Sequence, residues 1–224
     1  ACFGDKLGWE RPNWFAPEGV EAKDHYAFQR QNWFEHVGRE HRATREAVTL
    51  FDQSSFAKFM MVGKDALQAL NWICANQIDR PVGSLIYTQM LNQRGGIECD
   101  LTISRVAENH FYIVTGTGFA SHDFQWIRAN IPQGANAELI DITSSNSVLA
   151  LMGPRAREVL QAVTRDDVSN AAFPFARART LRIAGASVLA LRVTYVGELG
   201  WELHIPVESA LNVYDVLKTA GAPM

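Results

Sequence analysis

The chain has 224 residues, 47% of them apolar, and 21 Lys and Arg against 24 Asp and Glu give a formal net charge of −3. That length suits one large domain or two small ones with a real core, and a near-neutral charge without a basic stripe argues against a nucleic-acid partner. No apolar run approaches a membrane span, and the three cysteines (Cys2, Cys74, Cys99) lack metal-ligand spacing, which argues against a disulfide scaffold or zinc site and suits a reducing compartment.

The N-terminus carries no apolar core of a signal peptide. Without an initiator Met, and ending at Gly221-Ala222-Pro223-Met224, the sequence reads as a piece of something longer. Residues 1–50 differ in texture from the rest. Gly8-Trp9-Glu10-Arg11-Pro12-Asn13-Trp14-Phe15 is rich in aromatics and turn formers, with neither helical nor strand period. Trp33, Phe34 and Val37 then fall at helical spacing, ahead of a charged helix around Arg39 to Val48. Aromatics in a short irregular arm need something to pack against; docking between domains of a larger polypeptide is the preferred reading, over packing on this domain. His25, His36 and His41 have no metal spacing and read as solvated or packing residues.

Two similar units follow, at 51–140 and 141–224. Phe59-Met60-Met61-Val62-Gly63-Lys64-Asp65-Ala66 is a strand, a glycine turn and a helix start, with Leu67, Leu70 and Ile73 on the helix's apolar side. Val148-Leu149-Ala150-Leu151-Met152-Gly153-Pro154-Arg155-Ala156 repeats it, with Val159 and Leu160 following. Strands are expected at 84–91, 97–106 and 111–115 in the first unit and at 180–183, 187–194 and 201–205 in the second. Each unit closes on a helix, at 119–129 and 208–219. Tandem β-α-β-β-β-α units predict an α+β fold of antiparallel sheets with helices on one face.

The hairpin Leu91-Asn92-Gln93-Arg94-Gly95-Gly96-Ile97-Glu98-Cys99-Asp100-Leu101 turns on a Gly-Gly pair, which supplies φ > 0. Alternation places Ile97, Cys99 and Leu101 on one face of the returning strand and Glu98, Asp100 and Thr102 on the other. A carboxylate on a rigid strand just past a turn can be aimed at a ligand; a solvated Asp on an ordinary hairpin is the bland alternative. The second unit has its own acidic turn, Thr194-Tyr195-Val196-Gly197-Glu198-Leu199-Gly200-Trp201-Glu202-Leu203, with Glu198 inside it and Glu202 facing away from Trp201 and Leu203. Tyr195, on the incoming strand, can reach the same ligand as Glu202. A carboxylate there accepts two N–H bonds at once, a geometry suited to the amidine edge of a pterin.

These two segments, with Asp65-Ala66 after Gly63 and with Met152-Gly153-Pro154, resemble the signatures of the glycine-cleavage T-protein (aminomethyltransferase) family over about residues 45–220. Within it the chain is most similar to the folate domain of sarcosine and dimethylglycine dehydrogenases, whose lead-in segment Gly8 to Phe15 resembles. The resemblance implies the T-protein folate-binding fold, with the family's C-terminal barrel beyond Met224. It implies tetrahydrofolate as cofactor, Asp100 as the catalytic or orienting aspartate, and Tyr87, Tyr195 and Glu202 as pocket residues. Glu198 joins them as a cofactor-binding candidate. Where many members carry two adjacent aspartates, this chain has Cys99-Asp100.

The implied function is capture of an iminium or formaldehyde one-carbon unit as 5,10-methylenetetrahydrofolate, beside a small methylated amine and its product. No Gly-x-Gly-x-x-Gly follows a strand, so FAD is expected only in a missing part of the polypeptide or a partner subunit. The implied location is the bacterial cytoplasm or the mitochondrial matrix. A free-standing aminomethyltransferase or folate-dependent demethylase is the alternative enzyme, and a non-catalytic regulatory relative the alternative class. His122-Asp123 is not expected to form a dyad, because adjacent helical residues point about 100° apart. Arg177, Arg179 and Arg182 read as a solvated face rather than an anchor for a polyglutamate tail, and Cys99 as a buried, inert thiol.

Overall fold

A computed structural model describes residues 1–195 and 197–222; Val196 of the second acidic turn, and Pro223 and Met224, lie outside the described residues. β1 (Cys2–Lys6) and β2 (Trp9–Trp14) form an antiparallel hairpin, with Lys6 opposite Trp9. This corrects the reading of Gly8 to Phe15 as lacking strand structure. Only Cys2 and Trp14 of the ribbon are buried, so no alternating apolar signal marks it. Trp14 packs within the chain: its ring stacks on His36 at 5.3 Å and its indole N–H donates to Asp24 at 2.8 Å. Phe3, Phe15, Tyr26 and Phe28 stay exposed. α1 (Phe34–Glu46) ends the segment.

The remaining elements are β3 (Thr49–Asp52), β4 (Ala57–Val62), α2 (Ala66–Ile73), β5 (Leu85–Leu91), β6 (Ile97–Ala107), β7 (His110–Thr115), α3 (Ala120–Asn130), β8 (Glu138–Asp141), β9 (Asn146–Met152), α4 (Ala156–Val163), β10 (Arg177–Ile183), β11 (Ala186–Arg192), β12 (Gly200–Pro206) and α5 (Ala210–Gly221). They build two five-stranded sheets, ordered β5-β6-β7-β4-β8 and β10-β11-β12-β9-β3, with antiparallel neighbours throughout. The expected α+β architecture of antiparallel sheets and helices is thus what the chain forms. Its two sheets are interlocked. β3 leads into β4 but pairs with β9 of the other sheet, and β8 leads into β9 but pairs with β4.

Each sheet has a helix-covered outer face. Leu70 and Ile73 of α2 and Ile127 of α3 pack on Phe59, Met61, Leu101, Ile103 and Phe111. Val159 and Leu160 of α4, with Val213 and Leu217 of α5, pack on Leu151, Val188, Trp201, Leu203 and Ile205. The alternate residues form a thinner layer of Leu85, Tyr112, Val114, Ala178 and Leu191. Strand periodicity therefore sends Phe111, Ile113 and Trp201 outward to the helices and their neighbours Tyr112, Val114 and Glu202 inward. Where the strands cross over, Lys58 is fully buried and its ammonium donates to Ser54 O at 2.7 Å and Asn146 O at 2.9 Å, tying β4 to the start of β9. Burial pulls this amine down to about 8, with Asp52 and Asp141 pulling the other way.

Candidate functional site

The β5–β6 turn is built by Asn92. Its Oδ1 accepts from the N–H of Arg94 at 2.9 Å and of Gly96 at 3.0 Å, and its Nδ2 donates to Glu98 Oε1 at 2.8 Å. Of the glycine pair only Gly95 takes a left-handed φ, 79°. Beyond the turn the register slips between Met90 and Leu91, leaving Ile97 exposed rather than aligned with buried Cys99 and Leu101. Asp100 emerges on the inner face, directly opposite Gln89, whose Nε2 donates to Asp100 Oδ1 at 3.0 Å.

A cleft of about 950 Å³ opens on this side of the molecule. Asp100 from β6, Glu202 from β12 and Tyr195 all line it, so carboxylates from the two sheets face one hollow. That volume lies in the range of small-molecule sites, about 300–1,000 Å³. Arg11 of the ribbon, Phe15 just beyond it and Phe51 and Asp52 of β3 contribute, and Phe56 and Phe119 add further aromatic surface. Among the described residues that line it, Glu40, Asp52, Glu98, Asp100, Asp123 and Glu202 stand against one cation, Arg11.

Two candidates lie elsewhere. Tyr87 on β5 lines a separate shallow hollow with Asn76 and Arg80. It still adjoins Asp100, whose carboxylate raises its phenol as acceptor of the hydroxyl, with a contribution from Tyr195. Glu198 is half-buried and is not among the lining residues of the cleft; its Oε2 has no hydrogen-bond partner among the described residues. Arg177 and Arg179 are committed within the fold rather than solvated: Arg177 donates to Ser84 Oγ, and Arg179 to the carbonyls of Asp167 and Ala172.

Behind Glu202 lies a network that the sequence reading missed. His204, two residues on and 1% exposed, has its Nδ1 2.9 Å from the Tyr112 hydroxyl and its Nε2 3.5 Å from Glu202 Oε2. With Tyr112 donating, the imidazole proton sits on Nε2, which has no hydrogen-bond partner among the described residues and points at the carboxylate of the cleft. Burial lowers the pKa of His204 below 6.5, against the pull of Glu202. In the unfolded chain the ring takes up a proton near 6.5, whereas the folded ring resists it, so stability falls as pH drops below that value. His204→Gln is expected to remove this contribution, up to about 1.4 kcal/mol per pH unit as pH falls below 6.5. Denaturant melts of both proteins across that window measure the difference, and parallel curves would contradict the expectation.

His122 and Asp123 correct a further expectation, for they do form a dyad. His122 Nδ1 is 2.9 Å from Asp123 Oδ1, and the buried Asp123 also accepts from Thr115 Oγ1 at 2.5 Å. The 100° between adjacent helical positions separates their Cα–Cβ directions, not the far ends of their side chains. Thr115 ends β7 and so fixes the carboxylate from another element. The ring's Nε2 lies 3.4 Å from Glu98 Oε2. Asp123, more than any other neighbour, raises His122, and Glu98 adds to it. Donor atoms of Cys99, His122 and Asp123 lie within 4.8 Å of one another. Burial, with Asp123 beside it, pushes the Cys99 thiol far up, as expected of a thiol held protonated beside the His122–Asp123 pair.

The family model of the GCVT N-terminal domain matches residues 1–224. The chain belongs to the GCVT N-terminal domain family. Human mitochondrial sarcosine dehydrogenase is 38% identical over 98% of this GCVT domain and 28% of its own length. Human mitochondrial dimethylglycine dehydrogenase is 36% identical over 98% of the domain and 25% of its length. The chain thus spans about a quarter of the curated relatives it matches. The crystal structure of the glycine cleavage system aminomethyltransferase T from Bartonella henselae superposes with a TM-score of 0.77 at 25% identity, covering 96% of this chain and 53% of that one. No helix among the described residues is long and apolar enough to cross a membrane.

Proposed function

We propose that this GCVT domain binds tetrahydrofolate and serves an N-methyl amine dehydrogenase of the sarcosine or dimethylglycine type, capturing the one-carbon unit as 5,10-methylenetetrahydrofolate. The observation that carries the reading is the convergence of Asp100 and Glu202, from separate sheets, on one cleft with an aromatic lining. Bound there, tetrahydrofolate supplies two amine nitrogens that accept a one-carbon unit.

Glu202 suits the paired N–H donors of the pterin, and the buried ring of His204 lies behind it, Nε2 3.5 Å from Oε2. Phe15, Phe51, Phe119 and Tyr195 give flat surfaces for a bicyclic ring and keep water from the reacting carbon. Asp100, held at one oxygen by Gln89, takes a proton from a folate nitrogen. The acidic lining favours a cationic iminium over an anionic reactant. Tyr87 and Glu198 flank this arrangement, near Asp100 and in the turn before β12. The exposed aromatics Phe3, Tyr26 and Phe28 offer docking area for a flavin-bearing part of the same polypeptide or a partner. The cytoplasm or mitochondrial matrix fits such a partner.

Titration calorimetry with tetrahydrofolate on the natural polypeptide containing this chain tests the proposal. Saturable heat is expected, weakened about 10–100-fold in Glu202→Ala, since a charge-assisted pair of bonds contributes roughly 1.5–3 kcal/mol. Absence of heat in the wild type overturns the reading. A free-standing aminomethyltransferase or demethylase is the second reading, favoured by the extent of the Bartonella match. The absorption spectrum of the purified polypeptide decides between them, because bound flavin supports the dehydrogenase.

A further inference from the structure

One-carbon transfer moves two protons, and a second acid–base group can share that work with Asp100. When an iminium CH₂=NH⁺–R gives its carbon to two folate N–H groups, two C–N bonds form and the carbon's bond to the amine breaks. The two folate protons end on the amine, which leaves as R–NH₃⁺. The site must accept protons from the folate nitrogens and also return protons to the departing nitrogen, two tasks that two groups can divide.

Glu98 meets the second need. It lines the same cleft, two residues before Asp100 on β6. Asn92 Nδ2 holds its Oε1 at 2.8 Å, and its Oε2 faces His122 Nε2 at 3.4 Å. The imidazole is fixed from behind by Asp123, which is 1% exposed and anchored by Thr115. A clamp that only pinned α3 to the hairpin would not need an ionisable group on the wall of the cleft. Here the chain runs from a buried carboxylate, through a half-exposed imidazole, to a carboxylate in contact with the hollow.

Resting on the folate reading above, we propose that Glu98 is a second acid–base residue of the cleft, returning a proton to the departing amine nitrogen, and that His122 and Asp123 position and recharge it. The groups facing His122 are Glu98 and Cys99 from β6 and Asp123 on its own helix. Both carboxylates favour its charged form, so the relay is loaded at low pH and emptied as pH rises through the His122 pKa.

Three measurements on the natural polypeptide separate this proposal from the folate reading. Histidine-labelled NMR follows the His122 ring and needs no folate; its pKa is expected above 6.5 and lower in both Asp123→Asn and Glu98→Gln. Calorimetry of Glu98→Gln, which keeps the shape of the side chain and its bond from Asn92, is expected to give a tetrahydrofolate Kd within about threefold of wild type. Single-turnover partition between methylenetetrahydrofolate and free formaldehyde is expected to fall about 10²-fold in Glu98→Gln. In His122→Gln the fall is about tenfold, and the rate loses the limb that declines as pH rises. No folate heat in the wild type overturns the folate reading and this proposal together. Normal folate heat with Glu98→Gln transferring within twofold of wild type overturns this proposal alone. So does a His122 pKa that neither variant moves, because Glu98 and Asp123 then do not act on the ring.

Discussion

Asp100→Asn is expected to slow methylene transfer by about 10²–10⁴-fold, the usual contribution of a general base, while changing tetrahydrofolate affinity only a few-fold. The asymmetry follows from geometry. An asparagine oxygen still accepts from Gln89 Nε2, which now holds Asp100 at 3.0 Å, so the side chain keeps its place on the inner face of β6 and loses only its basicity. Glu202→Ala should show the opposite pattern, because Glu202 is opposed by the buried imidazole of His204 and stands on the other sheet. Its loss raises the folate concentration needed for half-saturation and spares the rate at saturation. Rapid-quench transfer rates at several folate concentrations separate the two variants. If Asp100→Asn turns over like wild type with folate bound, Asp100 is not the base, and its neighbours Tyr87 and Glu98 become the groups to replace next.

The parts of this site that a sequence displays are those set by local period. Alternation along 97–106 and 201–205 places Asp100 and Glu202 on definite strand faces, and the two strand-glycine-helix segments at Gly63 and Gly153 announce a repeat. What stays hidden depends on residues far apart in sequence. Nothing local says that β3 pairs with β9 and β8 with β4, since an exchanged strand has the same texture as an unexchanged one. Nor does the arm show that Arg11 and Phe15 close one wall of the cleft. His204 reads as one more polar residue on an alternating strand until the second sheet brings Tyr112 to it. Helical angle alone misplaces His122 and Asp123, because it ignores both the reach of an imidazole and the hold of Thr115 on the carboxylate. Ile97 shows the reverse failure, where a register slip breaks the alternation that its sequence promises.

Gly153→Ala is expected to cost the fold roughly 3–5 kcal/mol, from a backbone conformation that alanine resists and a methyl group with nowhere to go. At this chain length that lowers the melting temperature by about 10 °C or more. Gly153 has φ 128°, and an added Cβ sits 2.9 Å from Val48 Cα and closer still to Ala47 O. That same carbonyl accepts from Arg155 N at 3.0 Å, immediately before β3 crosses to pair Thr49 with Met152. Gly63 occupies the matching place in the first unit, with φ 130° and Asn136 against it, and Asn136 O accepts from Asp65 N at 3.0 Å. Each glycine therefore admits the exchanged strand that interlocks the two sheets. Gly185→Ala is the control, because its φ is 83° but an added Cβ meets nothing within 4 Å, leaving only the backbone cost of about 1–3 kcal/mol. Equal melting temperatures for the two variants would show that close approach at Gly153 does not matter. The consequence reaches the site, since β3 carries Leu50, Phe51 and Asp52 into the wall of the cleft. Below its melting temperature Gly153→Ala should therefore bind tetrahydrofolate more weakly than Gly185→Ala, which leaves that wall in place.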